Sequence, residues 1–189
     1  AAVGMGRAMN SPEQHQRTDQ SKRPLVSVLM PVFNAEKFVE EAAQSILLQS
    51  FPDLELIAID DGSTDQSKAI LDRIRQRDGR VTLISRENRG LVDSLNEGID
   101  LARGEWVARM DADDISLPHR LQRQLEWLRE SGADICGSWI QPFGGSDQRI
   151  MKYPQTDAAI KIEMLFASPF AHPTVMMRTA IARALKYDK

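Results

Sequence analysis

The chain has 189 residues, of which 42% are hydrophobic and 27% charged, the balance of a globular protein long enough to bury a sizeable core. Its formal net charge of −3 supplies no basic surface, so nucleic acid is not expected as a partner. The single cysteine, Cys136, excludes an intramolecular disulfide and a cysteine-rich zinc site. No apolar run approaches the ~20 residues that a membrane span needs, and a cytoplasmic domain fits these features.

Residues 1–23 are polar and lack periodicity, which predicts a flexible N-terminal lead ahead of a domain that occupies residues 24–189. Order begins with an apolar run over residues 25–30, which is typical of a central strand covered on both faces. Pro31 should close this strand, so that residues 31–34 form a loop at its carboxyl end.

The second strand, residues 54–59, ends in two adjacent carboxylates, Asp60 and Asp61. One interpretation is turn and capping chemistry, in which aspartate is common. The other is a carboxylate at a strand end that hydrogen-bonds a nucleotide base or ribose. Both residues cannot cap a helix that begins near Gln66, which favours the second interpretation.

The fourth strand, residues 106–110, is followed by Asp111, Asp113 and Asp114. Such carboxylates repel one another unless a cation or solvent neutralises them. Their oxygens suit Mg²⁺ or Mn²⁺, ions that usually also take oxygens from a substrate phosphate. The alternative is a solvated acidic turn before the next helix, a frequent feature of proteins.

The whole chain alternates between strand and helix patterns. The predicted helices cover roughly residues 35–49, 66–77, 91–102, 119–131, 157–166 and 179–185, and the strands residues 25–30, 54–59, 81–85, 106–110, 133–140 and 174–177. This alternation predicts an α/β fold with a Rossmann-like, doubly wound, mostly parallel sheet flanked by helices. Ligands of such sheets bind outside the carboxyl ends of the strands, where both acidic loops should lie.

Four motifs at matching intervals resemble the family-two glycosyltransferases, enzymes of the GT-A fold that use nucleotide-activated sugars. The motifs are Val28-Leu29-Met30-Pro31-Val32-Phe33-Asn34, Ile59-Asp60-Asp61-Gly62-Ser63-Thr64-Asp65, Asn88-Arg89-Gly90 with the helix behind it, and Met110-Asp111-Ala112-Asp113-Asp114 with Leu117-Pro118-His119-Arg120-Leu121. The resemblance runs from about residue 25 to residue 178, which is most of the chain.

The resemblance implies a nucleotide-sugar site in the first two loops. Pro31 and Phe33 would line the nucleobase pocket beside Asn34, and Asp61 would accept a hydrogen bond from the base, with Asp60 as a second candidate. Arg89 would lie near the donor phosphates, which a guanidinium suits, and its alternative is a solvated surface arginine.

The later motifs imply the metal site. Asp111 and Asp113, with Ala112 between them, would be the Asp-x-Asp pair that holds Mn²⁺ or Mg²⁺. Asp113 is the first choice for direct metal contact, and Asp111 would sit towards the sugar or ribose. His172 would contact a donor phosphate or the acceptor, or it would hold its own loop by a hydrogen bond.

The implied function is inverting, metal-dependent transfer of a sugar from a UDP- or GDP-linked donor to a glycan, lipid-linked or polysaccharide acceptor. Such acceptors would bring the protein to the inner face of the membrane as a peripheral partner, and the oligomeric state stays open. The family places its catalytic base after the segment that matches residues 172–178, and no such acidic motif follows here. We therefore expect a chain truncated at its C-terminus, with Asp188 not nominated as the base.

Three other functions are compatible with parts of this pattern. The first is a non-catalytic nucleotide-sugar-binding module that lacks its catalytic base. The second, a phosphatase or phosphotransferase with Asp111 as nucleophile, is disfavoured by Ile115, which stands where those enzymes have threonine or valine. The third, a dinucleotide-dependent oxidoreductase, is disfavoured because no Gly-x-Gly-x-x-Gly follows the first strand.

Overall fold

The structure, a computed structural model, describes residues 23–146 and 148–188, so the predicted flexible lead lies, apart from Arg23, outside the described residues. Within them, strands and helices alternate as predicted. The elements are β1 (Val26–Val32), α1 (Val39–Leu47), β2 (Leu54–Asp61), α2 (Ser67–Arg77), β3 (Val81–Arg86), α3 (Leu91–Leu101), β4 (Trp106–Arg109), α4 (Arg120–Ser131), β5 (Ile135–Cys136), α5 (Asp157–Glu163), β6 (Met176–Arg178) and α6 (Thr179–Leu185). None of the helices in this part of the chain is long and apolar enough to cross a membrane.

In the described part of the chain the strands form one six-stranded sheet in the order β3-β2-β1-β4-β6-β5. The first four strands are parallel, and β6 runs antiparallel to both β4 and β5. The prediction of a doubly wound, mostly parallel sheet is confirmed.

The predicted strand over residues 133–140 is shorter than expected and holds only Ile135 and Cys136. It ends there because the backbone of Ser138 turns to a side chain instead of a neighbouring strand. The Ser138 amide donates a hydrogen bond to Thr174 Oγ1 at 2.8 Å. The Thr174 hydroxyl can donate to the Ser138 carbonyl oxygen in return, at 3.2 Å.

Both faces of the sheet are buried, which is why β1 and β2 are apolar almost throughout. Successive side chains of a strand point to opposite faces. Accordingly, Val28 and Met30 pack in one core with α1, α2 and α4, while Leu29 packs in a second core with α3 and α6. Gly98 lets α3 approach this second face closely, because a Cβ there would lie 3.1 Å from Leu29.

The position of Pro31 differs from the prediction. It lies inside β1, which continues to Val32, instead of closing the strand at residue 30. Pairing between β1 and β4 ends at Leu29 opposite Arg109, and the Leu29 carbonyl accepts the Met110 amide on that side. Since alternate residues of a strand bond to the same neighbour, Pro31 faces the side where β4 has already ended, and its missing N–H costs no ladder bond.

Candidate functional site

Three loops that carry predicted site residues meet at the carboxyl edge of the sheet. They follow β2, β1 and β4, which are neighbours in that order. Asp60 is paired with Val32 at the end of β1, and Asp111 follows the end of β4 by two residues. The strand order also reverses between β1 and β4, and open α/β sheets bind ligands at such a switch point.

Hydrogen bonds join the loop after β1 to the loop after β2. Asn34, which has a positive φ of 51°, accepts the Thr64 amide at Oδ1 at 2.9 Å and donates its own amide to Ser63 Oγ at 3.0 Å. One residue pair further on, the Glu36 amide donates to Asp65 Oδ2 at 3.0 Å. The side chain of Asn34, a predicted ligand residue, therefore fixes the shape of the site.

Two predicted base-pocket residues lie on the open side of these joined loops. Phe33 is 54% exposed, an unusual position for a phenyl ring, and Pro31 is partly exposed beside it. An exposed aromatic ring at a ligand-binding edge offers a stacking surface for a flat base.

Asp60 fits the first of the two interpretations of its loop, because its carboxylate forms hydrogen bonds that stabilise the turn after β2. The residue is 1% exposed, and its carboxylate accepts the Ser63 amide at 3.1 Å and the Ser85 hydroxyl at 2.7 Å. These bonds connect the turn after β2 to the neighbouring strand β3.

Asp61 joins β2 to the start of α3. Its carboxylate accepts the amides of Arg89 at 2.9 Å and Gly90 at 2.8 Å, and it forms an ion pair with Arg86. Burial raises the pKa of this carboxyl, but the hydrogen bonds from Arg89, Arg86 and Gly90 outweigh burial and hold the pKa below its usual range. Asp61 is therefore an ionised, largely enclosed acceptor that fixes the loop before α3.

Arg86 is a site residue that the sequence analysis missed. Its side chain is 10% exposed, and besides Asp61 it contacts Glu97 at 2.7 Å and Ser94 at 3.0 Å. Its position at the carboxyl end of β3 could have indicated a role in the site, because the strand register places Arg86 beside Asp61.

Arg89 holds its predicted place at the entrance to α3, with its backbone bound to Asp61. Its side chain is exposed and lines a shallow groove along α3 together with Asp93, Glu97 and Asp100. The approach of this guanidinium to donor phosphates stays a prediction.

The acidic loop after β4 presents its carboxylates in different environments. Asp111 is one-third exposed and pairs with Arg109 at 2.6 Å, whereas Asp113 is exposed and makes no hydrogen bond or ion pair with any described residue. Burial and the negative charges of Asp111 and Asp113 raise the pKa of Asp114. Ala112 has its methyl group in the core, so only its backbone could meet a ligand.

The residues of this loop fit a divalent cation that takes most of its ligands from a substrate. Among the described residues no three histidine, cysteine, aspartate or glutamate side chains are arranged to hold a metal by themselves. Magnesium sites commonly use one or two carboxylates together with phosphate oxygens and water. Burial is the larger cause of the raised pKa of Asp114, and the negative charges of Asp111 and Asp113 add to it, so a bound cation would relieve repulsion within this loop.

Replacing Asp114 by asparagine should stabilise the protein at neutral pH. A carboxyl whose folded-state pKa lies above the unfolded value costs stability as pH rises through the folded pKa, and the amide removes that cost. We expect the Tm of Asp114→Asn to exceed that of the wild type by a few degrees at pH 7, and the difference to shrink as pH falls towards the unfolded pKa. Thermal unfolding over a pH series measures this, and a Tm difference independent of pH would contradict it.

Another arginine, Arg120, holds the backbone at the end of β4. Arg120 donates from Nη2 to the Arg109 carbonyl at 2.7 Å and from Nε to Gln124 at 3.1 Å. Burial lowers the pKa of Arg120 to about 10, which leaves it charged at neutral pH. The backbone from which the acidic loop departs is thus held by a charge-assisted hydrogen bond.

His172 lies at the far side of the acidic loop and bonds to the tail of the chain instead of to its own loop. Its Nε2 is 2.9 Å from the Tyr187 hydroxyl. The backbone of Tyr187 is in turn held at both ends by the Asn96 side chain, at 2.9 Å in each case. Burial lowers the pKa of His172, and the positive charge of Arg109 lowers it further, so the imidazole is neutral at pH 7.

Arg109 and Tyr187 were also missed by the sequence analysis. The signal for Arg109 was a lone charge within a strand predicted to be buried, because charged side chains are seldom buried without a partner or a function. Nothing local marks Tyr187, whose role depends on residues far away in the sequence.

Comparisons with known proteins agree with the resemblance that the four sequence motifs carry. The family model for "Glycosyl transferase family 2" matches residues 27–185. An uncharacterised glycosyltransferase of Haemophilus influenzae is 35% identical over 175 residues, which cover 86% of this chain and 54% of the relative. The chain thus spans about half the length of this curated relative.

Solved structures share the fold. The TarS protein of S. aureus, residues 1–349 in complex with UDP, has a TM-score of 0.68 at 24% identity, covering 84% of this chain and 48% of that one. The mannosyltransferase PcManGT of Pyrobaculum calidifontis, in complex with GDP-Man and Mn²⁺, has a TM-score of 0.67 at 21% identity, covering 90% of this chain and 49% of that one.

Proposed function

The chain belongs to glycosyl transferase family 2, and from this premise we propose that its sheet edge binds a nucleotide-sugar through a divalent cation and transfers the sugar with inversion. The GT-A fold predicted from the motifs agrees with the solved structures of this architecture. The chain covers only part of its relatives, so the reaction of the whole protein is part of the proposal.

One observation carries the proposal. The acidic loop after β4 and the loops after β1 and β2 lie on adjacent strands at the same sheet edge, on either side of the switch point. A nucleotide diphosphate has a flat base at one end and an anionic diphosphate at the other. The exposed Phe33 ring suits the first, and the exposed Asp113 carboxylate, with a cation, suits the second.

The residue roles follow from these environments. We assign base stacking to Phe33 with Pro31, and cation binding to Asp113 with Asp111. We propose that Asp61 also bonds to the base, since its Oδ2 accepts a single hydrogen bond among the described residues, from Gly90. Arg89 is proposed to contact the phosphates of the donor, and His172 to contact a donor phosphate or the acceptor.

The proposed chemistry is a single displacement. The acceptor hydroxyl oxygen attacks the anomeric carbon of the donor sugar, the bond from that carbon to the diphosphate oxygen breaks, and the hydroxyl proton passes to a general base. A bound divalent cation supplies neutralisation of the charge that grows on the departing diphosphate. The chain's own residues would orient the donor, and Arg109 would hold the Asp111 carboxylate in place within the acidic loop. We nominate no described residue as the base.

The donor and acceptor classes extend this proposal. TarS with UDP and PcManGT with GDP-Man and Mn²⁺ support a UDP- or GDP-linked donor and manganese or magnesium. The acceptor is proposed to be a glycan, a lipid-linked sugar or a polysaccharide. A cytoplasmic location at a membrane face would suit a lipid-linked acceptor.

Calorimetry with UDP and GDP, each with and without Mn²⁺, tests the proposal together with a sugar-transfer assay. We expect one diphosphate to bind more tightly with Mn²⁺ and to raise the Tm, because a ligand of the folded state stabilises it. Binding accompanied by transfer supports the enzyme. Binding without transfer supports the alternative, a nucleotide-sugar-binding module, and no binding of either diphosphate contradicts both.

A further inference from the structure

Arg109 at the end of β4 has an incompletely satisfied guanidinium. Its side chain is 6% exposed, and Nη2 contacts Asp111 Oδ1 at 2.6 Å. The other two nitrogens, Nε and Nη1, are buried without a hydrogen-bond partner among the described residues. Buried polar atoms are normally paired, and leaving a charged one unpaired costs the folded state free energy.

The surroundings of Arg109 would suit an apolar side chain better. The guanidinium lines a small pocket whose other walls are Leu29, Leu95, Ile99, Val107, Val175, Met177, Ala182 and Tyr187. Replacing a buried ion pair by hydrophobic side chains of similar volume is often neutral or stabilising, because the charges no longer have to be removed from water. The usual penalty for removing one partner of a buried ion pair is small here, because Asp111 is one-third exposed and water can solvate it. The fold therefore does not need this charge.

The acidic loop, in contrast, gains a defined geometry from Arg109. The contact engages Oδ1 and so restrains the rotamer of Asp111, while Oδ2 forms no ion pair with Arg109. Without the arginine, repulsion from Asp113 and Asp114 would turn the Asp111 carboxylate out towards solvent. Because Arg109 is itself held at its carbonyl by Arg120, it forms a rigid support beneath the loop.

Tyr187, which His172 contacts, belongs to the surroundings of Arg109. Their side chains are joined at 2.9 Å, and Tyr187 forms part of the pocket wall around Arg109. The Arg109 end of the contact is thus largely shielded from water, which strengthens a charge-assisted hydrogen bond, while the Asp111 end stays one-third exposed.

We propose that Arg109 is a positioning residue of the donor site, which holds the Asp111 carboxylate beside Asp113 so that both face the cation and diphosphate. This role rests on the proposed function. It predicts an unusual combination: loss of the charge leaves the fold intact or more stable and weakens the metal-dependent part of nucleotide binding.

The test compares Arg109→Met, Arg109→Lys and a control, Arg75→Met, which removes an exposed arginine on α2. Thermal unfolding and calorimetry with UDP and GDP, with and without Mn²⁺, are the measurements. We expect Arg109→Met to keep or exceed the wild-type Tm and to bind the diphosphate at least about tenfold more weakly with Mn²⁺, since a charge-assisted contact is lost. Arg109→Lys, which keeps the charge but not the planar fork, should recover part of that affinity.

Two results would overturn this role. Wild-type or tighter Mn²⁺-dependent binding by Arg109→Met would show that Asp111 needs no support. Equal weakening of binding with and without Mn²⁺, together with a clearly lower Tm, would show that Arg109 only stabilises the fold. A wild-type chain that binds neither diphosphate would instead remove the proposed function itself, and the two failures are distinguished by that wild-type measurement.

Discussion

Replacing Asp113 by alanine is expected to abolish Mn²⁺-dependent binding of the nucleoside diphosphate without lowering the Tm. Asp113 is exposed and makes no hydrogen bond or ion pair with the residues that the structure describes, so the fold loses nothing when it is removed. A ligand that touches the cation should matter more than an outer-shell partner, whose loss costs about 10- to 100-fold in affinity. Calorimetry with and without Mn²⁺ measures the effect as a loss of at least about a hundredfold.

The matched control is Glu130→Ala, which removes an equal charge from the exposed end of α4. The control separates a specific metal contact from a general change in the electrostatic field, which salt would screen. If both variants weakened binding equally, the field and not a metal ligand would be responsible. Unchanged affinity in Asp113→Ala would count against the metal assignment as a whole.

Asp61→Ala should weaken nucleotide binding whether or not Mn²⁺ is present, and it should also lower the Tm. The carboxylate is the acceptor for the amides of Arg89 and Gly90 and the partner of the largely buried Arg86. Removing one member of a buried ion pair typically costs about 3–5 kcal/mol. Glu97 still pairs with Arg86, so we expect the lower end of that range, a fall in Tm of roughly ten degrees for a chain of this size.

Asp72→Ala is the control for this variant, because it also removes an aspartate paired with an arginine, but on the exposed face of α2. Surface pairs of this kind contribute little, so its Tm should stay close to that of the wild type. To separate ligand contact from loss of structure, binding is measured well below the Tm of Asp61→Ala. A fall confined to the Mn²⁺-dependent part of binding would contradict the proposed contact of Asp61 with the base.

The sequence alone determined the architecture and the edge at which the site lies. The apolar runs of β1 and β2 require cover on both faces, and helical patterns between strands supply it, so a parallel sheet was the consistent solution. Parallel strands end at one edge, which places the acidic loops after β2 and β4 on the same side whatever their exact contacts.

Only the tertiary structure decided which polar groups are committed to the fold. Asp61 and Arg86 are 25 residues apart, and Asn96 and Tyr187 are 91 apart, so no local periodicity or turn signal links them. Likewise Pro31 fits inside β1 only because β4 ends beside it, and β6 is antiparallel only through its pairing with β4 and β5.

The sequence could not show these contacts because a local pattern indicates only the conformation of its own segment. The partner of a charged side chain depends on which distant segments pack against it. An aspartate in a loop has the same neighbours in sequence whether a ligand or a distant arginine occupies its carboxylate. For Asp61 the arginine is present, and for Asp113 none of the described residues occupies that place. Among the described residues, Arg109 has a partner for one of its three guanidinium nitrogens, and no sequence pattern could have shown that.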